Sequence, residues 1–282
     1  MDCAWQEYLK ILPIKYRNQI DALARKDLQE TRLRVSQKPL LITARGTITL
    51  EETVTPQDLQ YCINAASSYS PWSAQTVASG FITSRGGHRI GICGKTVTAD
   101  GEMTGFRTVT SVAIRVSRDI QNIAGCLEAI KGSILILGSP GTGKTTLLRD
   151  LIRRKSSFQK GTICVVDERE EIFPVVHDEV VFPAGENTDI LTGCSKGQGI
   201  DCALRNMGPS VIALDEITNP ADCEAMMKAA WCGVDLIATA HARDKTEFMK
   251  RSVYKPLLEC GIFQTLVILR KDKSWYTERM EL

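Results

Sequence analysis

Ile134-Leu135-Ile136-Leu137-Gly138-Ser139-Pro140-Gly141-Thr142-Gly143-Lys144-Thr145-Thr146 is the stretch on which the reading of this chain turns. Four consecutive apolar residues have the length and composition of a buried strand. The eight residues after them match the GxxxxGK[ST] pattern, known as Walker A, at every fixed position. Glycines let the backbone bend so that successive N–H groups face phosphate oxygens, and a helix opening near Lys144 adds the positive end of its dipole. Gly138, Ser139, Pro140, Gly141, Thr142, Gly143, Lys144, Thr145 and Thr146 then form a phosphate cradle. Lys144 bridges the β- and γ-phosphates and the Thr145 hydroxyl binds Mg²⁺. With glycine at about 7% of residues, the pattern arises by accident in roughly one such chain in a hundred. Its placement between a strand and a helix makes accident rarer still, so an ATP site is implied.

Working outward, Val211-Ile212-Ala213-Leu214-Asp215-Glu216 is an apolar strand ending in two acids. This Walker B pattern puts Asp215 beside Mg²⁺, and the next carboxylate, Glu216, is positioned to polarise a water for attack on the γ-phosphate. Between these two marks, Val165-Val166-Asp167-Glu168-Arg169-Glu170-Glu171 ends another strand at the same rim of the sheet. Glu168 there either supports the metal and water or belongs to a solvated charged turn. His241 ends a fourth strand after Ala238-Thr239-Ala240, where it either orients water and senses the γ-phosphate or is an ordinary satisfied polar group. His177 gets no role. A transition-state cation is expected, with Arg205 and Arg243 as candidates in this half and Arg85, Arg89, Arg107, Arg115 and Arg118 in the other.

The chain has 282 residues, 35 basic against 33 acidic side chains, and a formal net charge of +2. That balance gives no reason to expect a nucleic-acid or membrane-surface partner. No apolar run reaches the length of a membrane span and the N-terminus lacks the features of a signal peptide, which together predict a cytoplasmic protein. Ten dispersed cysteines without a Cys-x-x-Cys pair are read as small buried hydrophobes.

From residue 133 onward the order is regular: strands at 134–137, 162–167, 211–214 and 235–240, and helices opening near Lys144 and covering 200–207 and 221–232. A glycine-containing loop is expected over 183–199. Strands alternating with helices predict an α/β, mostly parallel sheet covered on both faces. The first 120 residues read instead as a smaller α+β domain. Helix-like segments carry Trp5, Tyr8, Leu9 and Ile11, then Ile20, Leu23 and Leu28. Extended stretches follow at 31–35, 40–43 and 48–50. Thr55-Pro56 caps a helix through Leu59, Cys62 and Ile63. Residues 81–84 and 88–93 form a hairpin around Arg85-Gly86-Gly87, Asp100-Gly101 is turn punctuation, and 111–116 is a further strand. The expected division is 1–120, a linker over 121–131, and 132–282.

Together GSPGTGKTTLLR (138–149), VVDER (165–169), VIALDEI (211–217) and LIATAH (236–241) resemble the stage III sporulation protein AA family, a relative of the hexameric secretion and pilus ATPases. Thr31-Arg32-Leu33-Arg34, GFITSRGGHRIGI (80–92), Ile114-Arg115-Val116 and DILTGCSKGQG (189–199) extend the resemblance over nearly the whole chain. It implies a RecA/AAA-type P-loop ATPase domain behind the α+β domain, and a homo-oligomeric, hexameric ring with ATP at subunit interfaces. It also implies a motor on the cytoplasmic face of membrane channel proteins of the sporulation complex, peripheral to the membrane through that partner. Glu168 and His241 match site residues of secretion ATPases, and Arg115 and Arg118 are the best-placed matches for arginines acting in trans. Two departures stand out: Thr31 where an apolar residue is expected, and Met207-Gly208-Pro209-Ser210 without the acid that often follows proline. Other classes compatible with these motifs are a nucleic-acid-directed RecA-like ATPase and a scaffold organised by nucleotide with incidental hydrolysis.

Overall fold

The computed structural model describes residues 3–68, 80–158, 161–176 and 178–280, so His177 lies outside the described residues. Two compact units emerge: Met1–Asp119 with Val176–Val181, and Ile120–Val175 with Phe182–Leu282.

In the first unit, helices α1 (Trp5–Ile11) and α2 (Ile14–Ala24) precede strands β1 (Leu28–Arg34), β2 (Leu40–Thr43) and β3 (Gly46–Thr49). Helix α3 (Pro56–Ala66) starts at a capping box, in which Thr55 and Asp58 each accept the other's backbone N–H. Strand β4 (Phe81–Thr83) and the 3₁₀ turn Arg85–Gly87 lead into β5 (Arg89–Ala99) and β6 (Glu102–Arg115). The sheet is antiparallel in the order β3-β2-β1-β6-β5-β4. Its core holds Tyr8, Tyr16, Ile20, Leu33 and Ile114, all fully buried.

Three sequence expectations shift here. Leu28, read with the helical positions, opens β1 and pairs with Thr43, because the chain has left α2 by Arg25. Thr31 is fully buried, and its hydroxyl accepts a hydrogen bond from the Tyr8 hydroxyl at 2.7 Å. A polar residue is therefore satisfied where an apolar one was expected. Strands β5 and β6 run well past the legible stretches, and among the described residues their outer halves pair only with each other around Asp100-Gly101. Those halves are mostly exposed and Thr-rich, so no apolar alternation marks them.

The second unit begins with β7 (Ile134–Leu137), α4 (Lys144–Phe158) and β8 (Ile163–Asp167). The chain then runs through β9 (Val175–Val176) and β10 (Glu179–Val180), the latter within the Val176–Val181 stretch of the first unit, before β11 (Thr188–Thr192), α5 (Lys196–Asn206), β12 (Val211–Leu214), α6 (Pro220–Trp231) and β13 (Asp235–Ala240). Helices α7 (Lys245–Lys250) and α8 (Lys255–Glu259) and strands β14 (Thr265–Leu269) and β15 (Trp275–Arg279) complete it. The sheet order is β11-β8-β12-β13-β7-β14-β15, parallel except for β15. Every residue of β7, β8 and β12 is buried, as a parallel sheet covered on both faces requires.

The expected loop over 183–199 is the main correction in this unit. It contains β11, an edge strand whose only aliphatic pair is Ile190-Leu191, too short a signal to register. Helix α5 begins at Lys196 rather than Ile200, behind a capping box of Ser195 and Gln198. Two glycines in its first turn disguise it. Gly199 is there for close packing: a Cβ at that position would sit 2.3 Å from Val166 Cγ1 on β8.

Candidate functional site

The parallel register brings the carboxyl ends of β7, β8, β12 and β13 to one rim: Leu137 faces Ala240, and Leu214 faces both Ala238 and Val166. Strand β13 lies between β7 and β12. The residue after β13, His241, is therefore flanked by the glycine loop after β7 and the acids after β12.

Within that loop Gly143 has φ of +103°, a backbone conformation that favours glycine. The next residue, Lys144, opens α4 and is buried, its Nζ donating to the carbonyl oxygens of Gly138 (2.9 Å) and Ser139 (3.3 Å). The same ammonium lies 2.8 Å from His241 Nδ1. An ammonium can only donate, so Nδ1 accepts and the ring proton sits on Nε2. His241 Nε2 is 2.8 Å from Glu216 Oε1, so this N–H donates to the carboxylate. Lys144, His241 and Glu216 thus form a continuous hydrogen-bonded row. Burial pulls the Lys144 ammonium below the ordinary lysine pKa, while Glu216 and Asp215 oppose that shift.

Asp215 is held by two hydroxyls, Thr145 Oγ1 on Oδ2 at 3.4 Å and the buried Thr239 Oγ1 on Oδ1 at 2.9 Å. Thr145 and Asp215 thus offer hard oxygen donors side by side, a set that fits Mg²⁺. Sequence reading missed Thr239, although its alternate position along β13 marks it as facing this pair.

Glu168 reaches the same rim, but its carboxylate is engaged by Lys196 Nζ at 2.6 Å. Both line a cavity of about 10 Å³ with Arg169, Glu171, Asp215 and Glu216. Behind them Asp167 is fully buried and accepts the backbone N–H groups of Glu171 (2.9 Å), Ile172 (2.8 Å) and Phe173 (2.8 Å). Burial outweighs those bonds and pushes its carboxyl up to about 6. Arg149 on α4 fixes the carbonyls of the same turn, donating to Ile172 O at 2.5 Å and Glu171 O at 2.9 Å.

On the other side of the loop lies a cavity of about 330 Å³, with Thr142, Thr146, Ile120, Ile123, Leu269 and Trp275 in its lining. Asp150 on α4 fastens one wall by accepting the N–H groups of Asn122 (3.0 Å), Ile123 (2.8 Å) and Ala124 (2.8 Å). The Trp275 indole donates to Ile123 O at 3.0 Å. An apolar pocket beside a phosphate loop suits a flat base. None of these apolar residues was singled out from the sequence, since the end of β14, the start of β15 and the 120–124 segment bring them together.

The candidate arginines are placed as follows. Arg115 and Arg118 belong to the first unit. There Arg115 pairs with Glu30 at 3.3 Å, and Arg118 donates to Leu28 O at 2.6 Å. Arg89 stacks on Phe81, 4.1 Å from the ring centre, while Arg85 and Arg107 are exposed. In the second unit Arg205 is exposed on α5, and Arg243 pairs with Glu247 at 2.9 Å.

Residues 5–278 match the family model described as Sporulation stage III, protein AA. Stage III sporulation protein AA of Bacillus subtilis (strain 168) is 32% identical over 281 residues, covering 95% of this chain and 92% of its own. The fold is that of two solved structures, a pilus retraction motor and an ATPase. The pilus retraction motor PilT, with bound ADP, superposes with a TM-score of 0.62 at 16% identity, over 92% of this chain and 78% of its own. The Legionella pneumophila ATPase DotB gives 0.56 at 16% identity, over 89% and 76%. The family match over residues 5–278, with 32% identity across 95% of the chain, places this chain in the sporulation stage III, protein AA family.

Proposed function

We propose that the protein is an ATP-hydrolysing, ring-forming motor that energises the assembly of, or transport through, a membrane channel during endospore formation. The observation that carries the hydrolytic part is the row Lys144–His241–Glu216, which links the phosphate grip to the acid that would activate water. Family membership supports the sporulation setting, and among the described residues no helix is long and apolar enough to cross a membrane.

In this reading the base enters the pocket at Trp275 and the phosphates lie on the 138–146 loop. Lys144 gives up the Gly138 and Ser139 carbonyls for the β- and γ-phosphates. Thr145 and Asp215 would hold Mg²⁺, which when bound neutralises charge on the phosphates. Glu216 accepts a proton from the attacking water while its oxygen bonds to the γ-phosphorus. The bond to the β-phosphate oxygen breaks, leaving ADP and inorganic phosphate. His241 keeps the Glu216 carboxylate aimed by donating to it. The missing cation comes from a neighbouring copy, and Arg115, with a side chain 65% exposed, suits that role better than Arg118, which is tied to backbone carbonyls.

The decisive experiment measures oligomer mass and ATP turnover together, with and without ATP and Mg²⁺. We expect a ring whose turnover depends on assembly, and loss of nucleotide binding in Lys144→Ala. A strict monomer that hydrolyses ATP efficiently would overturn the ring, and a protein that binds no nucleotide would overturn the whole reading.

A further inference from the structure

The Lys196 side chain is only 4% exposed, yet it carries a charge and stands in the first turn of α5. A cation there opposes the helix dipole, and a buried ammonium is costly unless paired. The position therefore does nothing for the helix itself. Two carboxylates lie within reach, Glu168 at 2.6 Å and Asp222 at 3.8 Å. Asp222 is already committed, accepting the Thr218 N–H (2.9 Å), the Thr218 hydroxyl (3.1 Å) and the Asn219 N–H (3.3 Å) at the start of α6. Lys196 is thus in effect the partner of Glu168. Glu168 and Lys196 share the small cavity beside Asp215 and Glu216, which four carboxylates and two cations line. Its volume suits a single water.

We propose that Lys196 is a positioning residue for hydrolysis, holding the Glu168 carboxylate in the cavity beside Glu216, where the two carboxylates together seat the attacking water. This rests on the hydrolytic reading above. Unpaired, Glu168 would be repelled by Asp215 and Glu216 and would turn outward to solvent.

The test compares wild type with Lys196→Met, Lys196→Arg, Glu168→Gln and the Lys196→Met/Glu168→Gln double variant in the assembled protein. Lys196→Met should lower kcat about tenfold or more with KM and ADP affinity unchanged, because water activation is lost and the phosphate cradle is intact. Lys196→Arg should restore most of the rate, and the double variant should be no slower than the slower single one. A merely structural lysine would lower the melting temperature and shift KM and kcat together. A second readout needs no turnover: affinity for ADP with aluminium fluoride and Mg²⁺, a mimic of the transition state. Wild type should bind this mimic about tenfold tighter than Lys196→Met does, with plain ADP bound equally by both. Wild type that binds the mimic but does not hydrolyse ATP sinks the hydrolytic reading alone. Equal mimic affinity in the two proteins, or multiplicative losses in the double variant, overturns the role of Lys196.

Discussion

His241 Nε2 lies 2.8 Å from Glu216 Oε1, and the other nitrogen of the same ring faces Lys144 at 2.8 Å. The imidazole therefore ties the acid at the end of β12 to the cation at the start of α4. Glu216→Gln keeps an oxygen for the His241 N–H and leaves the loop untouched, but its amide cannot accept a proton. Turnover should fall by at least about 10²-fold while ATP affinity is retained. Single-turnover rates beside equilibrium binding separate the two, and undiminished hydrolysis would rule out the role given to Glu216.

In the proposed reading Trp275 gives the base a large flat face on the cavity wall. Trp275→Ala should weaken ATP roughly tenfold, about 1.4 kcal/mol, through lost aromatic contact. Inorganic triphosphate, which has no base, should bind both proteins alike in calorimetric titrations. Equal ATP affinity in the two would move the base elsewhere.

How much of this could be read beforehand follows from which signals are local. The placement of the 138–146 loop after β7 and of Asp215-Glu216 after β12 was legible because short apolar strands announce both. The parallel sheet was legible from β7, β8, β12 and β13, each a compact apolar run. Trp275, Ile120 and Ile123 were not, because an apolar wall is recognised only once distant segments meet. Lys196 was hidden for a related reason, since its partner Glu168 follows β8, 28 residues away, and two glycines mask the start of its helix. The pairing of Tyr8 with Thr31, 23 residues apart, shows the same limit in the first unit.

Arg149 joins α4 to the turn after β8 through two carbonyl contacts, and its guanidinium lies 4.4 Å from the centre of the Phe182 ring. Arg149→Met removes charged bonds from a buried site, and should destabilise the protein by about 3 kcal/mol. Lysine lacks the planar fork and should rescue little of this. Chemical unfolding midpoints for the three proteins decide it.

His88 gives a pH prediction. It is fully buried, donates from Nε2 to Ala4 O (3.0 Å) and accepts the Ser117 N–H at Nδ1 (3.1 Å). Burial lowers its pKa from 6.5 to about 4. The unfolded chain therefore takes up this proton first on acidification, so the contribution is intact above pH 6.5 and lost as pH falls towards 4. Between pH 7.5 and 5 the loss should be about 2 kcal/mol. Asp167, whose carboxyl is raised, works in the opposite sense: its contribution is full below about pH 4 and lost as pH rises through 6. Unfolding midpoints of wild type and His88→Gln across this range isolate the histidine, since the variant should lack its share of the acid loss.

The interposed strand β13 has a metric consequence. Neighbouring strands are about 4.8 Å apart, so the ends of β7 and β12 stand roughly 10 Å from each other. The sheet acts as a fixed gauge, holding the strand ends that lead to Gly138 and Asp215 at a separation that backbone hydrogen bonds set. An imidazole on the middle strand has a nitrogen for either neighbour, so it closes that gap without any strand having to move.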